Sequence, residues 1–224
     1  MGTHDGHRMR MKKRYLNEGL DSFEPHEILE LLLYYCIPRR DINELSHRLI
    51  EHFGSIANVF DADVEALEQV EGIGETSAIL LSMIPQLSRV YNLSKWDRST
   101  SLASVDAVGQ YAVSMYIGKK NEEFGIICLD SNRNVHYSGI IIKGTVNQTE
   151  AYPRTIVAEV LKHNAVNVIL THNHPNGSIM PSSGDKEATR SILNALEAIG
   201  VNVLDHIIVS GDRFFSMAAM GMMD

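Results

Sequence analysis

The sequence predicts a two-domain α+β protein, with an all-α N-terminal domain followed by an α/β domain that contains a mixed sheet. Before residue 100, apolar residues recur at helical spacing and no strand pattern occurs. After residue 103, short apolar runs alternate with helical segments. A polar stretch rich in Ser and Thr separates the two patterns and is predicted to be a linker. The predicted boundaries are 1–91, 92–103 and 104–224.

Helix-start and helix-stop signals divide the first domain. Pro25 suits the first turn of a helix that runs through Leu33. Asp41 is predicted to cap a second helix, which Gly54 ends. A short helix is expected over residues 63–69 and a longer one over residues 75–91. Pro85 is predicted to kink or break the longer helix, because proline removes a backbone donor.

The start of the chain carries a run of cations between Arg8 and Arg14. Residues 1–14 are predicted to form a loosely held basic arm. The net charge of −8 argues against non-specific nucleic-acid binding through the whole surface. No apolar stretch is long enough to span a membrane, and the polar start does not resemble a signal peptide. With only Cys36 and Cys128 present, we expect no disulfide framework, no membrane partner and a cytoplasmic location.

In the second domain, strand and helix signals alternate. Ser104 is predicted to cap its first helix, a later helix is expected to follow Pro153, and Ser182 or Ser183 is predicted to start the last one. The predicted strands are 124–130, 135–142, 167–171, 201–210 and 214–217.

A cluster of metal-binding residue types lies between the third predicted strand and the helix after it. His172 and His174 are two residues apart, so their imidazoles point to the same side of a strand. Asp185 lies in the first turn of the helix, where the helix dipole favours a carboxylate. Two imidazoles and one carboxylate leave a fourth tetrahedral position open, as in catalytic zinc sites. Taken alone, Ser182 and Asp185 also read as a capping box.

This combination resembles the signature of the JAB/MPN (JAMM) metalloproteases, which remove ubiquitin-like modifiers. The family's His-x-His-Pro and Ser-x-x-Asp segments are matched by His172, His174, Pro175, Ser182 and Asp185. The resemblance implies a cytidine-deaminase-like α/β domain. It also implies about one zinc ion per chain, held by the two histidines and the aspartate.

The same family places a general base on an early strand, in a Glu-x-x-Gly context. Glu122 stands at that position, ahead of Gly125, and the adjacent Glu123 is the alternative. The resemblance implies that Glu122 activates a water at the zinc ion and that Ser182 stabilises the oxyanion. It therefore implies a zinc-dependent peptidase or isopeptidase acting on an unidentified peptide or protein.

Several segments are similar to the RadC-like proteins (UPF0758), historically called DNA repair proteins. The similar segments include 174–177, 181–182 and 205–208, together with 6–8, 20–23 and 38–41. The chain departs from many relatives at Thr155 and Asn176, neither of which is one of the family's zinc ligands. The alternative function is a DNA-binding or DNA-repair protein in which the metal domain is a scaffold or a nuclease.

Two further patterns leave alternatives open. The segment around Gly72, Ile73 and Gly74 resembles a helix-hairpin-helix, whose glycines can free backbone N–H groups for a DNA phosphate. Nearby carboxylates oppose phosphate binding, so contact with DNA and packing against a protein are both retained. Asp205 and His206 are either a pair behind the metal ligands or a satisfied polar pair in the core, and His136 and His163 are predicted to be surface residues.

Overall fold

A computed structural model describes residues 3–38, 40–96, 101–144, 151–175 and 177–223. The chain divides into two compact units, Met1–Leu87 and Ser88–Asp224. None of the helices within the described ranges is both long enough and apolar enough to cross a membrane.

The N-terminal unit is helical, as predicted. Apolar side chains from successive helices, among them Leu29, Leu45 and Leu81, form one buried core. The helices of the described residues up to the second unit are α1 (Thr3–Glu18), α2 (Pro25–Leu33), α3 (Asn43–Phe53), α4 (Ile56–Asp61), α5 (Val64–Glu68) and α6 (Glu75–Ser94).

The prediction of a loosely held basic arm was wrong. Residues from Thr3 onward form helix α1, and Met11 on this helix is buried. Arg8 donates a 2.8 Å hydrogen bond to the carbonyl of Ile37, and Arg14 pairs with Glu27 at 2.5 Å. The sequence did not indicate that α1 docks in this way, because the residues that α1 contacts lie far along the chain. The cations that remain exposed are Arg10, Lys12 and Lys13.

Most end signals of the helical unit were confirmed. Pro25 occupies the first turn of α2, and Gly54 ends α3 with a left-handed φ of 83°. Asp41 was predicted to be the N-cap of α3, but Ile42 occupies that position. Asp41 lies one residue earlier and still accepts a hydrogen bond from the Asn43 N–H at 3.0 Å.

Two features of the later helices differ from the sequence-based expectation. Helix α4 was not predicted, although Ser55 caps it by accepting the Asn58 N–H. Pro85 does not break α6, which continues to Ser94. The first residues of the predicted linker are therefore helical, and residues 97–100 of that linker lie outside the described residues.

The C-terminal unit contains the predicted mixed sheet. Its strand order is β2-β1-β3-β4-β5, and only β3 and β4 are parallel to each other. Ser104 caps the first helix as predicted. The elements are α7 (Val105–Tyr116), β1 (Glu123–Leu129), β2 (Val135–Lys143), α8 (Ala151–Lys162), β3 (Asn167–Asn173), α9 (Ser183–Glu197), β4 (Asn202–Ser210) and β5 (Arg213–Ser216).

The sheet lies between two layers of helix. One face packs against α8 and α9 through a core that includes Phe124, Leu170 and Ile192. The other face packs against α7 through a core that includes Ile127 and Ile169. Because side chains alternate along a strand, the histidines of β3 and β4 that share a face with Leu170 point toward α9.

Gly125 allows β1 to pack closely against β3. A Cβ at this position would lie 2.9 Å from the carbonyl oxygen of Gly139 and 2.9 Å from Thr171 Oγ1. Thr171 Oγ1 also bonds to the Tyr116 hydroxyl at 2.9 Å and immediately precedes His172. A side chain at residue 125 would therefore push β1 away from its neighbours.

We expect Gly125→Ala to destabilise the C-terminal unit by about 1–3 kcal/mol, the usual cost of overpacking a filled site. Gly184→Ala is the matched control, because its Cβ would meet only Ser182 Oγ at 3.7 Å. Thermal unfolding of both variants measures the difference. Equal melting temperatures would show that the sheet accommodates the methyl group.

Candidate metal centre

Two histidines meet at the end of β3. His172 is the penultimate residue of the strand and His174 follows its last residue. Their Nε2 atoms face each other at 2.8 Å, which confirms that the two-residue spacing points both rings to one side. His174 Nδ1 donates to the carbonyl of Ser178 at 2.6 Å. A carbonyl can only accept, so the proton of neutral His174 is on Nδ1 and its Nε2 lone pair faces the site.

Asp185 approaches the two rings from the first turn of α9. Its Oδ1 lies 3.2 Å from His172 Nε2, and its Oδ2 lies 3.5 Å from His174 Nε2. Ser182 caps the helix and donates its hydroxyl to Asp185 Oδ2 at 2.7 Å. The Ser182 backbone N–H also donates to Oδ2, at 2.7 Å. The predicted capping box is thus confirmed, and it fixes the orientation of the carboxylate.

The electrostatics of the cluster favour an ionised aspartate. Burial by itself would raise the pKa of Asp185, but hydrogen bonds that His172 and His174 donate from Nε2 when their rings are protonated lower this pKa well below its usual range. The hydrogen bond to Asp185 raises the pKa of His174. The site therefore holds a negative charge that attracts protons onto the imidazoles or, equally, a cation between them.

The donor set fits a divalent transition metal. One nitrogen from each histidine and one oxygen from Asp185 all lie within 4.8 Å of one another. Ligand atoms bonded to one zinc-like ion at about 2.0–2.2 Å are separated by at most about 4.4 Å, so small adjustments suffice. Imidazole nitrogens with a carboxylate are ligands that such ions prefer.

Glu122 borders the same site from a different element. It directly precedes β1, and its Oε1 lies 3.6 Å from His174 Nε2. Its side chain is 28% exposed, so the carboxylate lies between the cluster and solvent. Glu123 points away and pairs with Lys119 at 2.8 Å. Of the two adjacent glutamates, the structure brings Glu122 to the cluster.

Asn173 lies between the two histidine ligands but faces the opposite side of the sheet. It is buried, with 3% of its surface exposed. Its Oδ1 accepts the Glu123 N–H at 2.8 Å, and its Nδ2 donates to the carbonyl of Asn121 at 3.0 Å. These bonds hold the segment that carries Glu122. One sign of this residue was visible in the sequence, its alternation with the histidines.

The sequence left two interpretations open for Asp205 and His206, and the structure supports a different one for each residue. The His206 ring contacts His172 Nδ1 at 2.9 Å, so it lies directly behind a candidate metal ligand. Asp205 accepts from Ser216 and from the Ala218 N–H, and it is a satisfied polar residue of the core. Burial lowers the pKa of His206 well below its usual value. The sequence did not predict Thr189, whose hydroxyl contacts His206.

His136 lies in β2, and His163 directly follows α8. His136 is exposed, as predicted. His163 is only half-buried at the surface, and its ring stacks on Tyr137 with the centroids 3.5 Å apart.

The predicted DNA-contact residues lie in the turn between α5 and α6. Gly72 has a left-handed φ of 101°, and Gly74 is exposed. Ile73 is buried in the helical core, so only its backbone could reach a ligand. The helix-hairpin-helix itself stays a prediction.

Comparison with known proteins identifies both parts of the chain. Residues 102–222 match the RadC-like JAB domain, and residues 6–79 match the UPF0758 N-terminal domain. A UPF0758 protein of Fusobacterium nucleatum subsp. nucleatum is 34% identical in an alignment that covers 97% of each chain. The chain belongs to the RadC-like UPF0758 family. The predicted resemblance and the predicted JAB-type α/β fold are therefore confirmed, and the RadC-like domain contains the candidate metal cluster.

We expect the RadC-like domain to bind about one divalent transition-metal ion, because the described cluster offers a single three-ligand set. His174→Ala should remove most of this metal, since two ligands no longer close the site. Metal analysis of the purified protein measures the content, with His136→Ala as the control outside the cluster. Full metal content in His174→Ala would contradict this assignment.

The contacts of Asn173 generate a separate expectation. Asn173→Ala should speed hydrogen exchange of the Glu123 amide, because that N–H loses its acceptor. Metal content should be unchanged, since the histidines face the other side. Asn202→Ala at the far end of the sheet is the control. If the Glu123 amide exchanged at the same rate in Asn173→Ala, Asn173 would not hold this segment.

Proposed function

We propose that the protein is a zinc-dependent metallohydrolase that cleaves amide bonds in a peptide or protein, as a peptidase or an isopeptidase. The observation that carries the proposal is the position of Glu122, 3.6 Å from His174 yet outside the set of three ligand residues. A structural metal site needs no such carboxylate. A hydrolytic site needs one to move a proton.

The ligand residues would be His172, His174 and Asp185. When bound there, zinc would supply a Lewis acid that polarises the scissile carbonyl and lowers the pKa of water. Zinc is favoured over harder ions because two of the three ligands are imidazoles. Three ligand residues would leave a tetrahedral ion one further position for water or substrate, and Glu122 borders the cluster.

Glu122 would act first as the general base and then as the general acid. Its carboxylate would accept a proton from the attacking water as the oxygen–carbon bond forms. It would return that proton to the leaving nitrogen as the carbon–nitrogen bond breaks. Its partial exposure suits this role, because substrate and water can reach it from solvent.

In the structure described above, the Ser182 hydroxyl holds Asp185 by donating a hydrogen bond to Oδ2. The predicted role of Ser182 in stabilising the oxyanion stays part of the proposal. It requires the hydroxyl to turn from Asp185 Oδ2 toward the substrate. The Ser182 backbone N–H would then still hold Oδ2.

The sharpest test is Glu122→Gln, which keeps the shape of the side chain and removes the proton acceptor. Zinc content and folding should be unchanged, and hydrolysis of a fluorogenic peptide library should fall by about 10²–10⁴-fold. Glu123→Gln is the matched control and should stay active, although the loss of its pair with Lys119 costs some stability. Activity in Glu122→Gln equal to wild type would exclude Glu122 as the base.

A second candidate function is DNA binding by the helical unit. Two exposed arginines flank the turn that contains Gly72. Arg48 donates to the carbonyl of Glu71 at 3.1 Å, and a Cβ on Gly72 would lie 3.4 Å from Arg40 Nη1. These guanidinium groups offset the nearby carboxylates Glu71 and Glu75. The metal domain would then act as a scaffold or a nuclease.

Binding to branched DNA at several salt concentrations tests this candidate. If the arginines contact phosphates, affinity should fall steeply with salt, and Arg40→Ala with Arg48→Ala should reduce the slope by about two. Arg213→Ala, an exposed arginine on β5, is the control and should leave the slope unchanged. Binding that is absent, or unaffected by the double substitution, would count against it.

A further inference from the structure

Behind the candidate ligands runs a buried chain of hydrogen bonds that extends beyond His206 to helix α9. His172 Nδ1 contacts His206 Nε2 at 2.9 Å, and His206 Nδ1 contacts Thr189 Oγ1 at 2.6 Å. The Thr189 hydroxyl then donates to the backbone carbonyl of Asp185 at 2.6 Å. Exposure along the chain is 2% or less for His172, His206 and Thr189. The chain therefore links one candidate ligand, through α9, to the backbone of another.

The direction of these hydrogen bonds is fixed from the Asp185 end. A carbonyl has no proton, so Thr189 must donate to it. The other contact of the hydroxyl as a donor, Met217 Sδ, is weaker and lies at 3.8 Å. Because its single proton is donated to Asp185, Thr189 Oγ1 can only accept a hydrogen bond from His206. Neutral His206 thus carries its proton on Nδ1 and presents a lone pair at Nε2.

The same order determines the tautomer of His172. Because His206 Nε2 is an acceptor, neutral His172 carries its proton on Nδ1 and keeps the Nε2 lone pair toward the cluster. His174 needs no such chain, since a backbone carbonyl already fixes it. His172 instead faces another histidine, a partner that can be donor or acceptor. Without the Thr189 hydroxyl, the hydrogen bond between the two histidines is free to run in the opposite direction. His206 would then donate to His172 Nδ1, and the proton of His172 would lie on Nε2, where it would block a metal ion.

We propose that Thr189 and His206 are positioning residues that hold His172 in its metal-binding tautomer. This inference rests on the proposed metal centre. Helix α9 then makes two contributions to the site. It carries the candidate ligand Asp185, and it carries the Thr189 hydroxyl, which acts through His206 on the tautomer of His172. A ligand tautomer set in advance raises affinity because no proton has to be relocated when the ion binds.

The test compares two substitutions at one position. Thr189→Val keeps the shape and removes the hydroxyl, while Thr189→Ser keeps the hydroxyl. Titration with Co²⁺ alone, followed by the visible absorption of a four-coordinate site, should give an affinity about 10–100-fold weaker in Thr189→Val. Thr189→Ser should retain the wild-type affinity. Equal affinity in wild type and Thr189→Val would overturn this inference.

Failure of the wild type to bind Co²⁺ would instead overturn the proposed metal centre, so the two failures are distinguishable. A measurement on unsubstituted protein covers the case in which Thr189→Val does not fold. In ¹⁵N-histidine spectra of the metal-free wild type, His206 should carry its proton on Nδ1 and none on Nε2. The signal is assigned by its absence in His206→Gln. A proton on His206 Nε2 would overturn the inference.

Discussion

The antiparallel pairing of β1 with β3 determines where the candidate base stands relative to the candidate ligands. Phe124 lies directly opposite His172 in this pairing. Glu122 is two residues before Phe124, so it shares a face with it and lies beside His174, two residues beyond His172. A shift of the register by one residue would bring Glu123 to the cluster instead and turn Glu122 away. The interactions that fix this register therefore also fix the chemistry.

Contacts on the far face of the sheet hold that register. Asn173 bonds to the backbone on both sides of Glu122. The Tyr116 hydroxyl meets Thr171 in the space that Gly125 leaves. These polar groups are buried, so breaking one leaves an unpaired partner at a cost of about 1–3 kcal/mol. The face that α7 covers thus positions groups that act on the face that α9 covers.

The grouping of His172, His174 and Asp185 was predictable from sequence, because its determinants are local. The spacing of His172 and His174 fixes their common side, and Ser182 with Asp185 starts a helix through its own capping box. The supporting residues were not predictable in the same way. His206 is 34 residues from His172, and Asn173 is 50 residues from Glu123, so only the fold brings them together. The docking of α1 was missed for the same reason.

We propose that His172, His174 and Asp185 hold one zinc ion, with Glu122 beside the ion and not bonded to it. Anomalous diffraction at the zinc absorption edge from zinc-loaded crystals tests this most directly. We expect one strong peak at about 2.0–2.2 Å from one nitrogen of each histidine and one oxygen of Asp185. Glu122 should lie outside bonding distance of that peak. A peak at another place in the fold, or no peak at these residues, would contradict the account.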